Sequence, residues 1–259
     1  MGFDKKIDLP SVKDRVSPEE WDLRVNLAAA YRLSAHFGWD DLIYTHISAR
    51  VPGSDHHFLM NPLGLMFDEI TASSLVKVDL EGNKVMDSPF EVNRAGFVIH
   101  SAIHEARDDA LCVLHLHTDY GIAVSNLKEG LRPMAQSSIP AYMQVAYHDW
   151  HGFAVNDEER EGLVEDLGSK NVLILRNHGT LTIGKSIGSA FELMFFLEKA
   201  CRIQILTLSA GAELNPPSSQ AISNAMRDLK VVAGEKGADS LVWPALIRKL
   251  NRMDTSYAD

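Results

Sequence analysis

The chain has 259 residues, 46% hydrophobic and 23% charged, which is the balance of a globular protein able to bury a sizeable core. A formal net charge of −10 argues against a nucleic-acid surface and against an anionic membrane as partner, since both need clustered Lys and Arg. Cys112 and Cys201 are too few for a disulfide framework; both lie in apolar stretches and read as reduced core residues of a cytoplasmic protein, and no apolar signal region opens the chain.

Residues 1–16 are polar and are expected to form an arm. Ser17-Pro18-Glu19-Glu20 is a helix start: Ser17 caps, Pro18 takes the first helical position and Glu20 completes a capping box. This helix should reach about Phe37, with Trp21, Val25, Ala28, Ala29 and Arg32 along one face, and end at Gly38. Short strands are expected over 42–51 and 57–61, around the turn Pro52-Gly53-Ser54-Asp55. A second hairpin is expected over 75–80 and 84–86, around Glu81-Gly82-Asn83.

Residues 93–107 read as a helix with Phe97, His100, His104 and Arg107 on one stripe. The run Leu111-Cys112-Val113-Leu114-His115-Leu116-His117 reads as a buried strand, followed by a helix over about 119–127. Residues 128–140 are loop-like. A strand over 143–148 leads into the cluster Tyr147-His148-Asp149-Trp150-His151-Gly152, and Asn156 should cap a charged helix over 157–167. A second apolar strand, 171–175, ends in Arg176-Asn177-His178-Gly179. Residues 186–211 form a long helix, apolar nearly all round at Leu193-Met194-Phe195-Phe196-Leu197, so it should pack on more than one side. After Pro216-Pro217, two helical stretches (218–232 and 239–252) complete the chain. The organisation expected is an arm over 1–16, one domain over 17–215 and a helical C-terminal extension over 216–259.

The chemistry converges on histidines. Strand side chains alternate faces, so His115 and His117 project to the same side. His178 also follows a buried strand, and Gly179 after it allows close backbone approach. Three neutral imidazoles suit Zn²⁺, Fe²⁺, Mn²⁺ or Co²⁺ and leave a coordination position open, as a catalytic metal needs. Isolated, such histidines are more often hydrogen-bonded strand ends; the paired spacing with a second His-ended strand favours the metal site.

At these positions the sequence resembles the class II aldolase/adducin superfamily, and within it the adducin-head branch. The resemblance lies in Asn93-Arg94-Ala95-Gly96-Phe97-Val98-Ile99-His100-Ser101-Ala102-Ile103-His104, in His115-Leu116-His117-Thr118, in Val145-Ala146-Tyr147-His148-Asp149-Trp150-His151-Gly152, and in Leu173-Ile174-Leu175-Arg176-Asn177-His178-Gly179. It implies an α/β protein, a three-layer α/β/α domain with a central mainly antiparallel sheet, assembled as a homotetramer. It implies a divalent metal, zinc in the aldolases, held by His115, His117 and His178, with manganese or iron as alternatives.

The same resemblance exposes departures. The aldolases carry a glutamate, ligand and general base, in a Ser-Ser-Glu motif where this chain has Arg94-Ala95-Gly96; their Gly-Asn phosphate turn matches Thr45-His46, and their Thr-Gly matches Leu63-Gly64. Cleavage of a sugar phosphate by the usual route is therefore not expected. His100, one helical turn after Gly96, is the candidate acid/base group, weighed against a structural role. Arg94, His46, Tyr147 and His148 are candidate substrate-binding residues, each weighed against a surface or hydrogen-bonding role.

Three functions follow. The first is a metal-dependent lyase acting on a small carbonyl or carboxylate compound by aldol cleavage or decarboxylation. The second is a non-catalytic adducin-like module, with actin as a partner by family resemblance only; the short acidic end Ser256-Tyr257-Ala258-Asp259 lacks the basic tail on which adducins depend. The third is a non-haem iron oxygenase, which three histidines with open positions would permit.

Overall fold

The computed structural model describes residues 9–53, 56–152, 158–232 and 238–259. Asn156, the expected helix cap, and Ser54-Asp55 of the first turn lie outside them, as do residues 1–8 of the expected arm. The elements are α1 (Pro18–His36), β1 (His46–Arg50), β2 (Phe58–Met60), β3 (Val76–Val78), α2 (Arg94–Ala106), β4 (Cys112–Leu116), α3 (Asp119–Ser125), α4 (Ile139–Tyr142), β5 (Val145–His148), α5 (Glu158–Leu167), β6 (Val172–Leu175), β7 (Gly179–Gly184), α6 (Ile187–Ser209), α7 (Ser219–Val232) and α8 (Val242–Asn251).

The strands form one seven-stranded sheet in the order β3-β2-β1-β4-β7-β6-β5. Every pairing is antiparallel except β5 with β6. Alternation along the central strands divides the core. Ile47, Ala49, Cys112, Leu114 and Leu116 pack with Leu27 and Tyr31 of α1 and with Phe191 and Met194 of α6. On the opposite face Val113, Leu173, Leu181 and Ile183 pack with Ile99 and Ile103 of α2 and Leu163 and Leu167 of α5. The result is the expected three-layer α/β/α arrangement.

Several boundaries differ from the sequence-based expectation. No strand is expected at β7: the run Gly179-Thr180-Leu181-Thr182-Ile183-Gly184 is bounded by glycines, which are poor strand formers, yet it is a central strand between β4 and β6. The second strand of the second hairpin is reduced to a single bridge between Val78 and Lys84; Lys84 and Val85 are exposed, and only Met86 of this segment turns inward, against Arg24. The first strand begins at His46 rather than at residue 42; Leu42 has φ of 51°, and the Asp41–Tyr44 segment turns instead. The loop-like stretch 128–140 contains the start of α4 and a 3-10 turn over Gln136–Ser138.

The buried face of α1 also differs. Ser17 caps as expected, its Oγ accepting from Glu20 N at 3.2 Å. The Glu20 carboxylate, however, meets Arg24 at 3.0 Å and Lys77 at 2.7 Å. Arg24, fully buried, also donates to the Ala72 and Leu75 carbonyls. A buried arginine is tolerated where its fork is saturated with acceptors in this way. Of the expected face Ala28 and Ala29 are fully buried, while Trp21, Val25 and Arg32 are half-buried, and the core side adds Arg24, Leu27 and Tyr31.

Helix α6 packs on several sides within the chain: Met194 and Leu197 are fully buried, and Phe195 meets Phe37 and Trp39. The C-terminal segment shares the main core through Trp243, Leu250 and Tyr257, and Trp243 Nε1 donates to Asn26 at 2.7 Å. Among the described residues no helix is long and apolar enough to cross a membrane.

Candidate metal centre

The sheet brings three histidines to one point. β4 ends at Leu116, so His115 projects from the end of the strand toward the α2 layer and His117 follows just past it. β6 and β7 are joined by a tight turn in which Asn177 adopts φ of 57° and His178 leads into Gly179. A side chain at Gly179 would place its Cβ 2.6 Å from the Leu116 carbonyl and 3.0 Å from the His117 ring. Glycine is what lets the turn close on the end of β4. The consequence is that His115 Nε2 lies 3.3 Å from His178 Nε2 and 3.1 Å from His117 Nε2. The three rings sit with centroids 4.8 Å apart in each pair.

Two of their tautomers are fixed from behind. His115 Nδ1–H donates to the Thr180 carbonyl at 3.1 Å, and His117 Nδ1–H donates to Asp41 Oδ2 at 2.9 Å. In its metal-binding form each ring then turns a lone pair on Nε2 toward the common point. Ligands about 2.05 Å from a tetrahedral Zn²⁺ stand about 3.3 Å apart, close to the spacings found here. Burial, and then the neighbouring imidazoles, hold His115 well below its ordinary pKa; burial above all brings His178 down to about 4. Neutral rings are the form a metal requires. The donor set fits a divalent cation such as Zn²⁺.

The cavity at this point, about 410 Å³, is lined by Asp41, Tyr44, His46, Asn93, His117 and Trp150 among others. Such a volume suits a small compound.

The remaining candidates are distributed as follows. His46 lines the cavity beside His115, ring centroids 5.1 Å apart. His100 is fully buried behind His46 and does not line the cavity. Arg94 is exposed at the first residue of α2 and is not among the lining residues; its neighbour Asn93 is. Tyr147 points away: its hydroxyl accepts from Leu131 N at 3.0 Å and its ring lies under the Arg176 guanidinium. His148 is buried against α5, where Nδ1 donates to Asp166 at 2.8 Å.

Asp41, which orients His117, carries no signal in the sequence. It stands in the irregular segment between α1 and β1, where no periodicity indicates which way a side chain points. Replacing Asp41 with alanine should weaken zinc affinity about 10–100-fold, since the group that fixes a ligand's tautomer is lost. Competition with a chromophoric chelator measures this; unchanged affinity would mean that Asp41 does not orient His117.

Comparison with known proteins decides the family. Residues 25–205 match the model of the Class II Aldolase and Adducin N-terminal domain. The chain belongs to this family.

A putative aldolase class 2 protein of Caulobacter vibrioides is 53% identical over 249 residues, 96% of each chain. Alpha-adducin of Rattus norvegicus is 49% identical over 197 residues, which are 74% of this chain and 27% of that protein. Among solved structures, an aldolase II superfamily protein from Pseudomonas syringae superposes with a TM-score of 0.90 at 54% identity, covering 96% of this chain and all of that one. An L-fuculose 1-phosphate aldolase from Glaciozyma antarctica superposes with a TM-score of 0.79 at 31% identity, covering 96% and 94%. The family thus holds both aldolases and adducins, and the arrangement of the site must separate the readings for this chain.

Proposed function

We propose that this chain is a metal-dependent lyase that acts on a small carbonyl or carboxylate compound by aldol cleavage or decarboxylation. The observation that carries the reading is the convergence of His115, His117 and His178 with two of their outer nitrogens pinned by Thr180 and Asp41. An interaction module has no need of imidazoles oriented in this way. A divalent cation held there, zinc first and manganese or iron as alternatives, supplies Lewis-acid stabilisation of charge developing on a substrate oxygen.

The chain's own residues do the rest. The three histidines hold the cation, and Asp41 keeps His117 in its binding tautomer. Tyr44 and Trp150, both more than half exposed, stand at the cavity and can cover a bound compound. The glutamate expected of an aldolase is absent at Gly96, and Asp41, the carboxylate among the cavity-lining residues, is engaged by His117. An acid or base for the reaction would therefore come from a histidine or from solvent. The reading includes a cytoplasmic homotetramer; the exposed Leu42, Tyr44 and Trp150 give apolar surface that a neighbouring subunit would cover.

The identity with alpha-adducin favours a second reading, an interaction module, although the match spans 27% of that protein. One experiment separates the two. Protein purified without added metal is analysed for bound elements, then offered panels of aldols and 2-oxo acids and, separately, filamentous actin. The lyase reading expects near-stoichiometric zinc or manganese and release of a carbonyl product or CO₂. Iron with oxygen consumption would indicate the oxygenase alternative. A site that takes no metal, together with co-sedimentation on actin, would overturn the lyase reading.

A further inference from the structure

The space where the family carries its glutamate is filled, and the group that fills it is His46. Gly96, His100 and His104 form an i, i+4, i+8 stripe on α2, and they face His46 and Ser48 of β1. The register works because four residues of helix rise about 6 Å and two residues of strand about 6.8 Å. A Cβ at position 96 would fall 2.7 Å from His46 Cγ and nearer still to Cδ2 and Nε2. His46 is 4% exposed and hydrogen-bonded, so it cannot step aside. The glycine at 96 and the histidine at 46 are one arrangement.

Hydrogen-bond accounting then fixes every proton behind that ring. The Ala110 carbonyl can only accept, so His104 Nδ1 carries the hydrogen across their 2.9 Å contact. In a neutral ring His104 Nε2 is then bare and accepts from Ser48 Oγ–H at 2.7 Å. The Ser48 oxygen, its one hydrogen spent, accepts from His100 Nδ1–H at 2.5 Å. His100 Nε2 is bare in turn and accepts from His46 Nδ1–H at 3.0 Å. The chain of donors ends with a lone pair on His46 Nε2. Among the described residues no hydrogen bond reaches that nitrogen, and its ring lines the cavity beside the three converging histidines. His46, His100 and His104 are each 4% exposed or less, and an environment so shut off from water disfavours a charged ring.

We infer that His46 Nε2 is a fixed hydrogen-bond acceptor for the substrate, and that it selects a compound with a hydroxyl next to its metal-binding oxygen, such as a 2-hydroxy acid or a 2-hydroxy carbonyl compound. The His46 ring stands beside the His115 ring, centroids 5.1 Å apart, at the cavity where a substrate oxygen would meet the cation. A hydroxyl adjacent to that oxygen can donate to it. A ligand without a donor leaves the nitrogen buried and unpaired, which disfavours binding. His46 is thus a positioning residue. The inference rests on the metal-site reading for the ligand, while the proton placement stands on the hydrogen bonds and on the burial of the three rings.

The test has two arms. A neutron diffraction map of the deuterated protein should show deuterium on Nδ1 of His46, His100 and His104 and none on His46 Nε2; deuterium on His46 Nε2 would overturn the inference. In the second arm the zinc-loaded protein is titrated calorimetrically with glycolate and with methoxyacetate, its O-methyl ether. Glycolate should bind about tenfold more tightly, and His46→Phe should reduce that preference to twofold or less with zinc content unchanged. Equal affinity for the two probes in the unsubstituted protein, or a preference that survives His46→Phe, would overturn it. If His46→Phe does not fold, the comparison of the two probes on the unsubstituted protein decides. Failure of the protein to bind zinc at all would count against the lyase reading, and the neutron map alone would then decide the protonation of His46.

Discussion

Replacing His178 with alanine should lower zinc affinity by at least about a hundredfold while leaving the fold intact. The magnitude follows from rank: the loss of a group that merely orients a ligand costs about 10–100-fold, and in the proposed site His178 is itself one of three ligands. The intact fold follows from position. His178 is half-buried in the turn between β6 and β7, whose geometry is set by the positive φ of Asn177 and by Gly179. His115→Ala would remove the metal as well, but it would also cut a fully packed ring out of the space between His46 and Thr180. His178→Ala is therefore the cleaner substitution. Elemental analysis and chelator competition read the affinity, and thermal unfolding reads the fold. Retained stoichiometric zinc with a normal unfolding profile would remove His178 from the site.

The second large effect is acid lability. His46 and His104 are pushed from 6.5 to about 3 in the folded protein, in both cases chiefly by burial; His117 and His178 add to the depression at His46, and Arg50 at His104. The unfolded chain takes up protons below about pH 6.5 that the folded chain refuses, so the unfolded state is favoured as the pH falls. Stability is fully present above about 6.5 and is lost progressively down to about 3. Each of the two histidines contributes about 1.4 kcal/mol per pH unit within that window. Between pH 6.5 and 5 the pair removes about 3 kcal/mol, a large part of the stability of an ordinary domain. His100, depressed in the same direction, adds to this. Urea titrations with chelator present, at pH 7, 6 and 5, check the slope. His104→Gln should make it shallower, and stability that does not change with pH would contradict neutral burial of these rings.

Much of the site is legible in the sequence because it obeys period and position. The His-x-His spacing on an apolar strand forces His115 and His117 to one side, and a second apolar strand ending in Asn-His-Gly gives the third ring a rigid mount. The sheet class is legible from the same alternation and from the resemblance that the histidine motifs carry. The strands that are misread have physical reasons for it. Thr180-Leu181-Thr182-Ile183 alternates as a strand should, but its glycine borders resemble a loop, and only the partnership of β4 and β6 makes it central. Residues 84–86 look like a hairpin arm, but Val85 stays exposed and only one bridge, Val78 to Lys84, forms.

Gly96 shows where sequence alone stops. Read along the chain, it is a missing glutamate. In the fold it is the gap that His46 occupies, fifty residues earlier in the sequence and on another element. It is the packing of α2 on β1 that places the two together, and the pairing of β1 with β4 then sets His46 opposite His115. Tyr147 and His148 illustrate the converse. They are polar residues at a strand end, but strand alternation turns one toward Leu131 and Arg176 and the other toward Asp166. Neither strand nor motif announces which neighbours will be there.

The proposed function depends above all on a metal held by His115, His117 and His178. Anomalous X-ray diffraction at the absorption edge of the element found in the purified protein tests for it most directly. One strong peak is expected at bonding distance, about 2.0–2.1 Å for zinc, from the Nε2 atoms of all three histidines. A loaded crystal with no peak at that point, or with its only peak elsewhere, would contradict the assignment.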